Sequence, residues 1–264
     1  MSTLIASYIF TVQRYAILAP VFIVMEILAP RERVSWASRG RSLVVALIQI
    51  FAATASITGV AMLNIRPLFV VPGPVTIPFA LIYILITDLP FYWMHRLAHK
   101  VPLLWRLHSV HHSVREMHVL VAQQGHFLEE GVRALFQFIP LALLVKVGPA
   151  EAPWIFLGPP LLDLFAHANT RLHLGPLKFL LLDNRMHRIH HSIEPRHYDK
   201  NFAGISPIWD ILFGTAYFPA ADEWPATGVV DQNPTSVVDY LTAPFRRRPA
   251  LQRAPEASQS LSSA

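Results

Sequence analysis

With 264 residues, 53% of them hydrophobic and only 15% charged, the chain has too little polar surface for ordinary soluble domains and reads as one integral membrane domain. A formal charge of +5 raises the question of nucleic acid, yet the basic residues are scattered between apolar runs, as in juxtamembrane loops, and form no stripe. The absence of cysteine excludes disulfides, iron–sulfur clusters and a thiolate haem, so any metal must rest on nitrogen or oxygen.

Residues 4 to 29 form an apolar run longer than the ~20 residues a bilayer requires. They lack the basic start and cleavage site of a secretory signal, and an uncleaved span is expected. A second run covers Leu43 to Leu63 and a third Val75 to Trp93, interrupted only by Asp88 and Pro90. Val132 to Val147 and Pro153 to Ala166 flank a turn at Val147-Gly148-Pro149-Ala150; both are short of a full crossing and predict a tilted or half-deep hairpin. After Phe213-Gly214-Thr215 the chain turns proline-rich and loses periodicity, and from Arg246 its composition predicts a disordered tail. There is no internal repeat and no glycine-rich nucleotide loop, so a nicotinamide or flavin must belong to another protein. Arg31, Arg33, Arg39 and Arg41 make the first loop basic, whereas the stretch after Leu63 is nearly neutral. The positive-inside rule then makes the first loop cytoplasmic, and counting spans brings residues 95 to 112 and 187 to 191 to that side.

Most of the 13 histidines fall at helical ligand spacings. His95 and His99 are four apart, and His108, His111 and His112 follow a turn marked by Pro102. His187, His190 and His191 repeat the HxxHH pattern far downstream. Residues three and four apart share a helix face, so each group can aim its imidazoles at a common point. A lone interfacial histidine is ordinarily a solvated residue, but this grouping points to metal ligation. Eight imidazoles exceed the needs of one tetrahedral ion, which argues for two metals with room for an exogenous ligand; imidazole does not choose among iron, zinc, copper and nickel. Asp88, two turns from His95, reads either as orienting a ligand imidazole or as relieving the break at Pro90. His118, His173 and His197 read as surface or hydrogen-bonding residues, and Trp209 with Phe213 as packing residues.

Together these residues resemble the fatty acid hydroxylase and sterol desaturase superfamily of membrane non-haem diiron enzymes, over about Asp88 to Thr215. The family pattern of HxxxH, HxxHH, a histidine beside Asn, and HxxHH is similar to His95 and His99, His108 to His112, His167 with Asn169, and His187 to His191. Similar segments flank it: Asp88-Leu89-Pro90-Phe91-Tyr92-Trp93-Met94-His95-Arg96 before, and Asn201 with Trp209-Asp210-Ile211-Leu212-Phe213-Gly214-Thr215 after. The resemblance implies that His95, His99, His108, His111, His112, His167, His187, His190 and His191 hold two iron ions, with zinc a substitute in recombinant protein and dioxygen the co-substrate. Two positions depart from the pattern. Asp163 stands where some members have a histidine four residues before His167, so it either supplies a carboxylate ligand or leaves that position to water. Gln124-Gly125-His126-Phe127-Leu128-Glu129 keeps the His and Glu of an Arg-x-His-Pro-x-Glu element but loses its Arg and Pro, and His126 is expected to support the site more readily than to ligate.

The expected architecture is an all-α integral membrane protein of about four to five membrane-embedded helical segments under a cytoplasmic histidine-rich helical cap. Residues 1–74 read as N-terminal transmembrane helices, 75–220 as the catalytic membrane domain and 221–264 as a proline-rich extension. The expected location is the inner membrane of a bacterium or the endoplasmic reticulum of a eukaryote. The resemblance implies an oxygen-dependent hydroxylase or desaturase of a sterol, fatty acyl or related lipid drawn from the bilayer. A separate ferredoxin, b-type cytochrome or reductase would supply electrons, and no nucleic acid is involved. The competing class is a histidine-rich metal-binding or transport protein, whose sites usually lie at the bilayer midplane on broken helices. A haem carrier is a third class and needs two opposed axial ligands rather than dense triplets.

Overall fold

A computed structural model describes residues 3–71, 76–146, 153–246 and 251–252, without the side chains of 153–155. The predicted turn at 147–150 and nearly all of the predicted tail beyond Arg246 lie outside the described residues. Three long helices lead the chain: α1 (Thr3–Leu28), α2 (Trp36–Met62) and α3 (Ile77–Lys100). Each is long and apolar enough to cross a membrane, at roughly 36–40 Å by helical rise. Their outer faces carry exposed Phe10, Ile17, Phe51, Leu81 and Ile82, the surface that lipid requires. α3 continues past Pro90 to Lys100, beyond the apolar run that marked it. Proline removes only one N–H, and the burial of Tyr92, Met94 and Ala98 holds the next turns.

α4 (Pro102–His112) starts on a proline, whose missing N–H costs nothing in a first helical turn. A 3₁₀ turn at Val119–Gln123 leads to α5 (Glu129–Arg133), which runs through a π-turn at Ala134–Phe138 into α6 (Ile139–Leu144). The two-residue strands β1 (Phe69–Val70) and β2 (Val145–Lys146) pair in parallel. α7 (Pro153–His167), α8 (Asn184–His190), α9 (Ile208–Leu212) and α10 (Val237–Arg246) complete the chain. Among the described residues three helices reach crossing length, and the count of four to five spans is not confirmed. The stretch from 132 to 144 is broken by its π-turn, and α7 has 15 residues. α10 forms where periodicity looked lost, because Tyr240 packs with Val45, Val110, Val114 and Val121.

Glu26, buried near the end of α1, ties four segments together. One carboxylate oxygen meets Arg39 of α2 at 2.5 Å, and the other accepts from the backbone N–H of Val119 at 2.7 Å and of Asn169 at 2.8 Å. His118, just before that 3₁₀ turn, is buried and shares a 3.3 Å hydrogen bond with Ser42 of α2. Burial first, and then the Arg39 charge, push its pKa down to about 3.

Glu26→Ala leaves Arg39 and two N–H groups buried without partners and should lower stability by about 3–5 kcal/mol, read as thermal unfolding in detergent. Glu194→Ala breaks the exposed pair with Arg196 and should leave the unfolding midpoint essentially unchanged, because solvent screens such a pair. His118 is held neutral in the fold but takes up a proton near its ordinary pKa when unfolded. Its contribution is therefore full above about pH 6.5 and declines as pH falls towards the folded value. Unfolding midpoints should drop between about pH 7 and pH 4, and His118→Asn should flatten that slope.

Candidate metal centre

Four elements deliver histidines to one interior region. His95 and His99 lie one turn apart on α3; His108, His111 and His112 end α4; His167 is the last residue of α7; His187 and His190 lie on α8, with His191 as its C-cap. α8 is short and is held from outside. Asp183 caps its start by accepting from Arg185 N–H and also accepts from Leu174 N–H, both at 2.8 Å. The Asn184 amide donates to the carbonyls of Thr170 and Leu172 at 3.2 Å, pinning α8 to the segment that follows His167. Asn201, in the left-handed region at φ 56°, donates to Met186 O at 2.9 Å beside His187; asparagine tolerates that conformation.

The imidazoles form two groups, each with ligand atoms within 4.8 Å of one another. His95, His99, His108, His112 and His190 make the first, and His111, His167, His187 and His191 the second. The HxxHH triplets do not each serve one point. On α4 the i and i+4 residues join the first group and the i+3 residue joins the second; on α8 the assignment is reversed. Residues i and i+4 lie 40° apart around a helix and i+3 falls 60° to the other side, by about 100° per residue. A triplet therefore touches two adjacent points, and the two helices interlock the groups. His112 and His191 stack across the boundary, ring centroids 4.3 Å apart.

The outer nitrogens are committed to the protein. Nδ1–H donates from His95 to Phe202 O at 2.7 Å, from His111 to Gln124 O at 3.0 Å, from His167 to Asp163 O at 2.8 Å and from His190 to Lys200 O at 2.9 Å. His108 Nδ1 donates to Glu129 Oε1 at 2.8 Å. Each bond fixes the tautomer that leaves a lone pair on Nε2, the arrangement seen behind metal-bound imidazoles. His111 and His167 thus point two lone pairs at each other across 3.4 Å. Among the described residues the buried Nε2 atoms of His95, His99 and His190 have no hydrogen-bond partner. Burial, and next the neighbouring imidazoles, hold the pKa values of His111, His112, His187 and His191 well below the usual range. Burial takes His190 to about 3 despite its bond to Lys200. Neutral imidazoles with converging, unsatisfied lone pairs suit divalent cations of the nitrogen-binding class.

The remaining candidates stand outside the two groups. Asp163 Oδ1 lies 3.3 Å from His167 Nδ1, behind the ring, and its Oδ2 accepts from Gln123 at 2.8 Å. His126 is spent elsewhere: its Nε2 donates to Leu241 O on α10 and its Nδ1 accepts from Leu128 N–H. Asp88 does neither of the two things its sequence position suggested. Its carboxylate accepts the backbone N–H groups of Gly204 at 3.0 Å, Ile205 at 3.3 Å and Ser206 at 3.0 Å. Asp210, for which the sequence named no role, accepts from Phe202 and Ala203 N–H at 2.7 and 3.0 Å. The two acids hold the loop whose Phe202 carbonyl orients His95. Glu129 is the other unassigned residue, and its position three after His126 was its only signal. His197 bonds Ser192 and Glu223, His173 is exposed with its Nδ1 accepting from Gly175 N–H, and Trp209 packs on Phe213 while donating to Leu85 O.

A cavity of about 470 Å³ meets both groups, touching His95, His108, His111, His167 and His187. Away from them it runs between α1, α2, α3, the π-turn and α7, past Ile50, Ile57, Ile84, Phe138 and Leu141.

A family model for fatty acid hydroxylase matches residues 80–215, which hold both histidine groups. Ornithine lipid hydroxylase of Rhizobium tropici is 31% identical over 165 residues, 62% of this chain and 50% of that protein. Alkylglycerol monooxygenase of Danio rerio is 36% identical over 137 residues, 52% of this chain and 30% of that protein. Its Homo sapiens counterpart is also 36% identical over 137 residues, with 29% of its length covered. The chain thus spans about half the length of the first relative and less of the other two. No solved structure matches. The family match covers more than half of the chain and takes in both groups of imidazoles, and the chain is a member of the fatty acid hydroxylase family.

Proposed function

We propose that the protein is a membrane-bound diiron oxygenase that hydroxylates or desaturates a lipid, using dioxygen and electrons from a separate protein. The observation that carries this reading is the junction of two buried imidazole groups with a largely apolar cavity of about 470 Å³, a volume within the range of small-molecule sites. His95, His99, His108, His112 and His190 would hold one iron, and His111, His167, His187 and His191 the other. Four or five nitrogens leave open positions on a six-coordinate ion. Glu129 and Asp163 act from behind, on the Nδ1 side of His108 and His167. The bound iron pair supplies the oxidising power for an unactivated carbon–hydrogen bond. The chain's own part is to exclude water, keep the imidazoles in one tautomer and direct one carbon of the lipid to the histidine end. Residues 75–220 carry this chemistry, and α1 and α2 close the cavity. The basic first loop supports a cytoplasmic site, and the lack of a nucleotide loop supports an external ferredoxin, b-type cytochrome or reductase.

The relatives' names, a lipid hydroxylase and monooxygenases, favour oxidation over ion storage or transport. The decisive experiment is lipid profiling by mass spectrometry of cells with and without the protein, joined to oxygen consumption by purified enzyme with a reductant. Loss of the oxidised lipid in cells expressing His111→Ala or His190→Ala is expected, whereas His173→Ala should retain it.

Protein loaded with ferrous iron under reducing conditions should approach two irons per chain by elemental analysis; a fixed value of one, whatever the supply, would sink the dinuclear reading. Asp163→Ala should weaken metal affinity by about 10 to 100-fold, as loss of an orienting partner does. Unchanged affinity and turnover in that variant would make Asp163 merely structural.

A further inference from the structure

Arg14 lies near the middle of the 26-residue helix α1, at a depth where an ionisable side chain is costly and is held there by a partner or a function. Its one hydrogen bond among the described residues is from Nη1 to Phe156 O at 3.1 Å. That carbonyl is free because Pro160, four residues on, has no N–H to offer it. Among the described residues no carboxylate lies within ion-pair distance of Arg14. Its Nε is buried without an acceptor, and its contact with the Tyr15 ring, 5.3 Å to the centroid, supplies no counter-charge. The cavity's other guanidinium, Arg133, faces Glu130 at 3.5 Å. The Asp163 carboxylate is engaged by Gln123 and His167. Arg14 is therefore the cavity cation left without an anion.

Arg14 and Phe156 line the same cavity that ends on His95, His111 and His167. Phe156 and His167 are the near and far ends of one stretch of α7, about 16 Å apart by helical rise. We propose that Arg14 binds an anionic oxygen group of the lipid, carboxylate or phosphate, at the end of the cavity remote from the histidines. The chain between that anchor and the histidines then decides which carbon is oxidised. The proposal rests on the lipid-oxygenase reading and adds to it the substrate's charge and orientation. A guanidinium suits both anions, since its forked donors match carboxylate and phosphate oxygens.

The test separates binding from turnover. Iron-loaded protein in detergent, kept anaerobic, is titrated with hexadecanoate, hexadecyl phosphate and hexadecan-1-ol. At least one anion should bind about tenfold or more tighter than the alcohol, and the tighter anion identifies the group. Arg14→Gln, which keeps an N–H for Phe156 O, should erase the preference, and Arg14→Lys should keep most of it; iron content reports whether each variant is folded. Equal affinity of the unaltered protein for anions and alcohol overturns the proposal whatever the variants do. So does an anion preference that survives in folded Arg14→Gln. Under turnover with homologous anions of different chain length, the oxidised carbon should keep a constant count from the anionic group. A constant count from the methyl end overturns the anchor. Oxidation of none of the probes, with the anion preference intact and lost in Arg14→Gln, counts against the oxygenase reading and leaves the anchor standing.

Discussion

Two lone pairs facing each other across 3.4 Å, on His111 and His167, are the constraint around which the interior is arranged. Each ring has its proton committed to a carbonyl on the other side, so no hydrogen bond can form between them. A cation would relieve their repulsion and engage the nitrogens of His95, His99 and His190, which are unpartnered among the described residues; within the protein, His187 Nε2, 2.9 Å from His167 Nε2, can donate to one of the pair. The surrounding fold holds the rings in this costly arrangement. Its means are the long-range bonds from Glu26 and Asn184, the cap that Asp183 sets on α8 and the carbonyls of Phe202, Gln124 and Lys200. Removing a support behind a ligand therefore loosens a ring without deleting it.

The interlocking of α4 and α8 explains why the HxxHH spacing occurs twice. A single triplet projects onto two points because 3.6 residues per turn separate i+3 from i+4 by 100°. Two such helices in opposite assignment knit both groups into one unit. Disturbing either helix therefore moves imidazoles of both groups. Asp88 and Asp210 extend the same logic outward. They take up five backbone N–H groups of the 202–206 loop, which fixes the carbonyl that orients His95. An acid inside an apolar helix thus serves the centre through a loop more than 110 residues later in the chain.

Membrane and chemistry meet in the cavity. Its deep walls come from helices whose outer faces are apolar, and its inner end is made of imidazoles. On the proposed function, an apolar space that ends on imidazoles would hold a lipid chain and keep the reacting carbon away from bulk solvent. Arg14 and Arg133 are among the polar residues that line the same cavity.

Much of this was legible in the chain itself. Apolar runs of about bilayer length marked α1, α2 and α3, because crossing length is a local property. Eight of the histidines stood out because helical periodicity is local too, His167 was marked only by the family resemblance, and all nine converge. Composition and the family resemblance agree with the family match over residues 80–215. Contact across the fold decided the rest. The division of each triplet between two groups depends on how α4 and α8 face one another. The bond of Glu129 to His108, the spending of His126 on α10 and the position of Asp163 behind His167 each join segments or atoms whose geometry spacing does not specify. Asp88 shows the limit most clearly: its charge in an apolar run announced a purpose, but its partners are N–H groups of a distant loop, and backbone donors leave no mark in a sequence.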